Sequence, residues 1–295
     1  MIKSVPPRVW AFDCEWIPDP LAGRMLYGLP DDTPDAEVMQ RMWEKGGANE
    51  EDPTPFLKTA LCRIVSIAAV ERRESREGAQ LSLVSLPRDL ADEKETSESA
   101  VVGRFLEGIG DRKPQIVGYN SFNADLKILI QRGVILGLRA AGFSARPNKP
   151  WEGPDYFARH SDAHVDLKDI WSGFGKGTPS LHEMAVQSGI PGKLDVDGDA
   201  VAALWLEGNL RKIVQYNECD ALTTYLVWLR LAHFAGHFTA SQYAQEQESV
   251  RDLVDRESST EGREHLTAYR EEWDRLEKRI EEGRGVARER SEVGR

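Results

Sequence analysis

Apolar positions along the chain switch between two spacings, and the switches mark its elements. Arg8–Trp16 (RVWAFDCEW) is dense in β-branched and aromatic residues and predicts a strand. Ala60–Arg72 (ALCRIVSIAAVER) predicts a second, largely buried strand, and Ala79–Leu86 a third that alternates more clearly. The charged turn ERRESREG between them predicts an antiparallel hairpin. Helical spacing then takes over. Val101, Val102, Phe105 and Leu106 fall on one face of a helix over Ser97–Gly108. Gln115–Tyr119 predicts a short strand, Asn123–Gly133 a helix continued or followed by Val134–Ala141, and Ala163–Asp166 another strand. Ser180–Ser188 is a predicted helix whose Ser180 and Glu183 have capping-box spacing. Asp199–Glu207 and Asn209–Phe234 are helical, the second long and apolar. Early strands followed by helices alternating with short strands predict a mixed α/β sheet flanked by helices.

Between the first two strands lies a polar, Pro-rich stretch, residues 17–57. Pro34 stands at the head of a predicted helix over Asp35–Lys45. The stretch contains Met25, Met39, Met42 and Trp43, which need somewhere to pack, so it reads as an excursion of one domain spanning 1–240. Residues 241–295 read as a charged helical tail. Within it Leu266, Tyr269, Trp273, Leu276 and Ile280 form an amphipathic stripe, with Glu271–Arg275 and Asp274–Lys278 as pairs on the wet sides. The stripe predicts either a helix packed back on the domain or, over 265–282, self-association or a protein partner. Order is expected to end after Gly283, where charge dominates.

Composition narrows the class. The chain has 295 residues and 40% hydrophobic content, enough for a real core. No run approaches the length of a membrane span, and the start shows no secretory pattern. Cys14, Cys62 and Cys219 are an odd set without CxxC spacing, which predicts free thiols and a cytoplasmic location. A net charge of −11 excludes a protein that coats nucleic acid by bulk attraction, but not an enzyme that grips a strand end through cations and local contacts.

Three acidic motifs carry chemistry. On a strand, Asp13 and Glu15 project to one face while Phe12, Cys14 and Trp16 face the other. Paired carboxylates repel, and a divalent cation between them removes the penalty. Oxygen-only ligation suits Mg²⁺ or Mn²⁺ and not zinc. Asn120 and Asp125 lie at a strand-to-helix junction, where the helix dipole favours an anion. Tyr216 and Asp220 sit one turn apart on one helical face. Singly, each is explained as well by ordinary structure: a solvated strand face, a helix-start aspartate, a Tyr–polar pair. Other candidates are open in the same way. Phe122 reads as a base-stacking ring or a core residue, Trp16 as a nucleotide contact or a rim aromatic, and Lys193 as a phosphate contact or a solvated loop lysine. Asp166 reads as structural, and His160, His164 and His182 have no ligand spacing.

In this order the three motifs resemble the DEDD exonuclease superfamily of ribonuclease-H-like fold. The tyrosine marks the DEDDy branch. The sister branch has histidine five residues before the last aspartate, where this chain has Gln215. More closely, VWAFDCEW, CRIVSIAAVE, IVGYNSFNADLKIL, HVDLKDIWSGFG, PSLHEMAVQSGIPGK and YNECDALTTYLVWLRL are similar to the stand-alone bacterial group related to the exonuclease domain of family-B DNA polymerases, over residues 8–235. Two positions depart from that pattern: Ala124 replaces an aromatic before the aspartate, and Asn217 stands where cysteine is common. The resemblance implies a mixed five-stranded sheet flanked by helices, with a C-terminal helical extension. It implies two Mg²⁺ (or Mn²⁺) held by Asp13, Glu15, Asp125 and Asp220. Asp13 would bridge both ions, Glu15 and Asp220 would complete the water-activating site, Asp125 would hold the second ion, and Tyr216 would orient the water. Trp16, Asn120, Phe122 and Lys193 are the expected substrate contacts. The implied reaction shortens single-stranded nucleic acid from its 3′ end, DNA favoured, releasing nucleoside monophosphates. An exoribonuclease and a non-catalytic nucleic-acid-binding module are the alternatives.

Overall fold

The structure, a computed structural model, describes residues 2–76, 78–158, 161–173, 177–194 and 200–293. His160 and Asp199, at the start of one predicted helix, lie outside the described residues, as does Glu77 in the hairpin turn. Five strands, β1 (Arg8–Pro18), β2 (Cys62–Ser75), β3 (Gly78–Leu86), β4 (Gln115–Gly118) and β5 (His164–Asp166), form one sheet in the order β3-β2-β1-β4-β5. β2 is antiparallel to β1 and β3, whereas β1, β4 and β5 are parallel. This is the mixed five-stranded sheet flanked by helices that the sequence predicts. β1 is central and almost wholly buried, as expected of a strand covered on both faces.

Alternation along β1 sorts the two layers. Trp10, Phe12 and Cys14 point to a core built with α3 (Glu98–Arg112) and α4 (Asp125–Ile135). Val9 and Ala11 point to a core built with α8 (Leu210–Phe234), which is buried over most of its length. Asp13 and Glu15 share the second parity and so face α8. The segment after α4 does not continue as helix: Gly137 turns the chain at φ 66.

Helix α2 (Asp35–Gly46) lies where predicted, but α1 (Pro20–Tyr27) precedes it inside the excursion. Its signals were in the sequence: Asp19 caps Leu21, Pro20 takes the first turn and Gly28 closes it at φ 64. A Cβ on Gly23 would come 2.5 Å from Val38, so that glycine lets α1 and α2 touch. The short helices α5 (Leu167–Ser172), α6 (Leu181–Gln187) and α7 (Val201–Leu206) fill the turns between the long elements.

The tail is two helices, α9 (Ala240–Ser258), which the sequence reading did not separate from the rest of the tail, and α10 (His265–Val293). Thr239 and Gln242 form the capping box that starts α9. The helical trace of α10 continues past Gly283, beyond the point where the sequence predicts order to end. Leu266, Tyr269, Trp273 and Leu276 are buried against their own chain, so the stripe packs back on the domain. Buried charges lock the return: Arg72 on β2 pairs with Glu246 at 2.5 Å, and Tyr225 donates to the same carboxylate at 3.0 Å. Among the described residues, no helix is long and apolar enough to cross a membrane.

Candidate active site

Two crossing elements set the site. β1 presents Asp13 and Glu15, and α8 crosses that face with Tyr216, Asn217 and Asp220. Ligand oxygens of Asp13, Glu15 and Asp220 lie within 4.8 Å of one another. The β1–β2 register shifts between Glu15 and Trp16, a bulge that re-aims the strand end beside the cluster. Tyr216 hydrogen-bonds Asp220 one turn away. Gln215, where the sister branch has histidine, points elsewhere and donates to the Gly262 carbonyl at 2.9 Å.

Asp125 arrives differently. The chain leaves β4, turns through Asn120 at φ 59 and enters α4 at Asp125. Asp166 clamps that turn by accepting from Asn120 N–H at 2.9 Å and Phe122 N–H at 2.8 Å. The Asp125 carboxylate accepts from Cys14 N–H at 3.0 Å, joining α4 to the middle of β1, beyond the reach of β4. It is buried and electrically felt at Asp13 but stands beside the three-oxygen group.

The electrostatics are those of an under-neutralised cluster. Burial, then Asp125, Glu15 and Asp220, push the Asp13 carboxyl well above its ordinary range. Glu15 is raised by burial and by Asp220 and Asp125. Burial lifts Asp125 to about 7 against the pull of backbone N–H donors, and Asp220 to about 6 against the Tyr216 hydroxyl and Lys193. The Tyr216 phenol is itself raised by burial and by Asp220, so it keeps its proton as a donor. Four carboxylates among oxygen donors, with charge the protein does not cancel, fit divalent cations that prefer oxygen.

A cleft of about 1000 Å³ opens over the cluster. Trp16, Lys193, Tyr216 and three of the four carboxylates line it. Asn120 and Phe122 are not among the described residues that line it. Asn120 serves the turn, and Phe122 stacks on His164 at 5.6 Å and 12°. Lys193 is brought in by the turn before it: its N–H donates to His182 Nδ1 at 3.1 Å, and a Cβ on Gly192 would fall 2.2 Å from that nitrogen.

The sequence reading missed Asn217. Its Nδ2 donates to Asp13 Oδ2 at 2.7 Å and its Oδ1 accepts from Ser66 at 3.0 Å, fixing the aspartate's rotamer from a fully buried position. The signal was available, because 213, 216, 217 and 220 share a helical face. A departure from the usual pattern that reads as neutral in sequence thus touches the first aspartate. Trp43 and Phe56, which complete the cleft's aromatic wall, come from the excursion and carried no motif.

A mixed sheet with acidic side chains gathered under an open cleft defines an α/β protein built around a cation-seeking hydrolytic centre. The chain belongs to the family described as a predicted 3′-5′ exonuclease related to the exonuclease domain of PolB, whose model matches residues 54–273. The match includes Asp125, Tyr216, Asp220 and most of the tail, and begins after Asp13 and Glu15, which the fold brings to them. Among solved structures, the chain is similar to the family B DNA polymerase of the hyperthermophilic archaeon Pyrobaculum calidifontis, with 19% identity and a TM-score of 0.44 over 76% of this chain. It spans 25% of that polymerase chain. A search of curated proteins found no match.

Proposed function

We propose that the chain hydrolyses phosphodiester bonds one nucleotide at a time from the 3′ end of single-stranded nucleic acid, DNA favoured, releasing nucleoside monophosphates. The observation that carries this is the meeting of Asp13, Glu15 and Asp220 oxygens within 4.8 Å under an open cleft. Asp13, Glu15, Asp125 and Asp220 would hold two Mg²⁺ or Mn²⁺. When bound, such ions neutralise charge on the phosphate and lower the pKa of water.

The chain's own groups supply the rest. Tyr216, protonated and giving its proton to a hydrogen bond with Asp220, would accept from the attacking water through its hydroxyl oxygen and so orient it. Glu15 and Asp220 would serve that side, Asp125 the side of the departing 3′ oxygen, and Asp13, held by Asn217, would serve both. Lys193 sets a positive charge near Glu15 and Asp220, in reach of a strand's phosphate. The water oxygen bonds to phosphorus as the bond to the 3′ oxygen breaks. The water's proton goes to solvent, and the leaving oxygen ends as a hydroxyl.

Matched 5′-labelled DNA and RNA oligonucleotides with Mg²⁺ or Mn²⁺ test this. The expected result is a ladder shrinking from the 3′ end, faster on DNA and absent with EDTA. Faster shortening of RNA would move the substrate to the exoribonuclease alternative. Loss of label as mononucleotide, or no cleavage with either ion, would overturn the reading.

A further inference from the structure

Away from the excursion the cleft is lined by polar groups, and its hydroxyls are already spent. Tyr119 gives its proton to the Pro179 carbonyl, Ser180 to Glu183 at 3.0 Å, and Thr223 to the Pro191 carbonyl at 2.9 Å. Tyr216 gives its own to Asp220. A phosphate entering here would meet oxygens with no proton left to offer. His182, on α6, lines the same part of the cleft and is exposed.

The His182 ring is held in one tautomer. The N–H of Lys193 reaches its Nδ1 at 3.1 Å. A backbone N–H can only donate, so Nδ1 accepts, and the neutral ring carries its proton on Nε2. The ring also lies flat against the turn. A Cβ on Gly192 would fall 2.2 Å from Nδ1, 3.0 Å from Cε1 and 3.1 Å from Cγ. That glycine is required by the ring, since its own φ is not left-handed. The capping box of Ser180 and Glu183 fixes the start of the helix that carries His182. Its charge, like that of Lys193, is felt at Asp220. Among the described residues, none accepts the Nε2 proton.

We propose that His182 is a phosphate-binding residue whose Nε2–H donates to a non-bridging oxygen of the phosphate that leaves with the 3′-terminal nucleotide. The Lys193 N–H and Gly192 orient the ring for this before the strand arrives. The contact outlives the reaction, because that phosphate becomes the 5′-phosphate of the released nucleotide. Substrate and product are therefore held by the same nitrogen. The inference rests on the exonuclease reading above, and the two fail separately.

The experiment uses two variants that each copy half of the ring. In His182→Asn the amide oxygen stands near the place of Nδ1 and can still accept from Lys193, but nothing replaces Nε2–H. In His182→Gln an amide N–H reaches the place of Nε2, and the acceptor for Lys193 is lost. KM and kcat are measured on 5′-labelled single-stranded DNA, with the inhibition constant of deoxyadenosine 5′-monophosphate. His182→Asn is expected to raise both KM and the inhibition constant about tenfold, as for one hydrogen bond to a charged acceptor, with kcat little changed. His182→Gln is expected to restore much of both. The ring is exposed, so both variants should melt as the wild type does. Unchanged constants in His182→Asn, or a larger loss in His182→Gln than in His182→Asn, would mean that the ring serves only the Lys193 turn, and would overturn the inference while the exonuclease stands. If the wild type shortens no strand with Mg²⁺ or Mn²⁺, the exonuclease reading fails and the inference with it.

Discussion

Glu218 and Asp220 stand two residues apart on α8, both buried, and their carboxyls move in opposite directions. Burial pushes each up. At Glu218 the His265 ring at 3.0 Å, the Arg263 guanidinium at 2.8 Å and the Ser85 hydroxyl reverse that, and the group ends below its ordinary value. At Asp220 the Tyr216 hydroxyl, Lys193 and His182 pull the same way but do not overcome burial, and it stays raised at about 6. A helix turns about 200° in two residues, so one residue faces β3 and the tail while the other faces the β1 carboxylates. Burial alone does not set a buried acid's charge. The side facing the tail brings its own cations, and the side facing the cleft leaves that task to ions from solution.

The comparison is broken most severely on the cleft side. Asp13→Asn keeps the shape and removes one negative charge, and should lower 3′-end hydrolysis by about a thousandfold. Because it relieves repulsion, the melting temperature without metal should hold or rise. A parallel loss of folding would mean that the cluster is structural. On the tail side the reverse is expected. Glu246→Ala strands a buried Arg72 and should cost about 3–5 kcal/mol in urea unfolding. A cost under about 1 kcal/mol would show the pair to be solvated.

Metal sharpens the contrast next. Asp125 at about 7 and Asp220 at about 6 lie above unfolded values near about 4, so the metal-free fold holds protons that the unfolded chain has released. The contribution of these two groups to stability is therefore fully present below about pH 4 and is lost as pH rises towards about 7. A cation displaces those protons. Mn²⁺ at about a hundred times its Kd should stabilise by about 2.7 kcal/mol at pH 8, and by clearly less at pH 5. Equal shifts at both pH values would place the ion elsewhere. The smallest effect concerns Asn217. Asn217→Ala frees the Asp13 rotamer and should lower the rate about tenfold with little change in KM.

Much of this was legible in the sequence because it lies in local periodicity. The DxE strand, the Tyr216–Asp220 turn and the long α8 follow from spacings of two and four. Asp125 was legible only as a junction residue. That its carboxylate caps Cys14 on β1 depends on β4 ending early, which no local pattern encodes. Helix α1 carried caps but is only eight residues long and leaves Leu21, Met25 and Leu26 exposed, and it was read as part of a polar excursion; α9 was read only as part of a charged helical tail. Asn217 was hidden because its importance is a contact across 204 residues. Trp43 and Phe56 were hidden because a lone aromatic in a polar stretch has no period to betray its neighbours.

Thr223 lies just past Asp220 on α8, donates to the Pro191 carbonyl at 2.9 Å and meets the Tyr269 hydroxyl at 3.1 Å. One side chain thus fastens the turn that carries Lys193 to a helix of the tail. The turn and α10 are therefore expected to open together in amide exchange. The position of Lys193 in the cleft would then depend partly on how firmly a segment some 80 residues further along the chain stays docked.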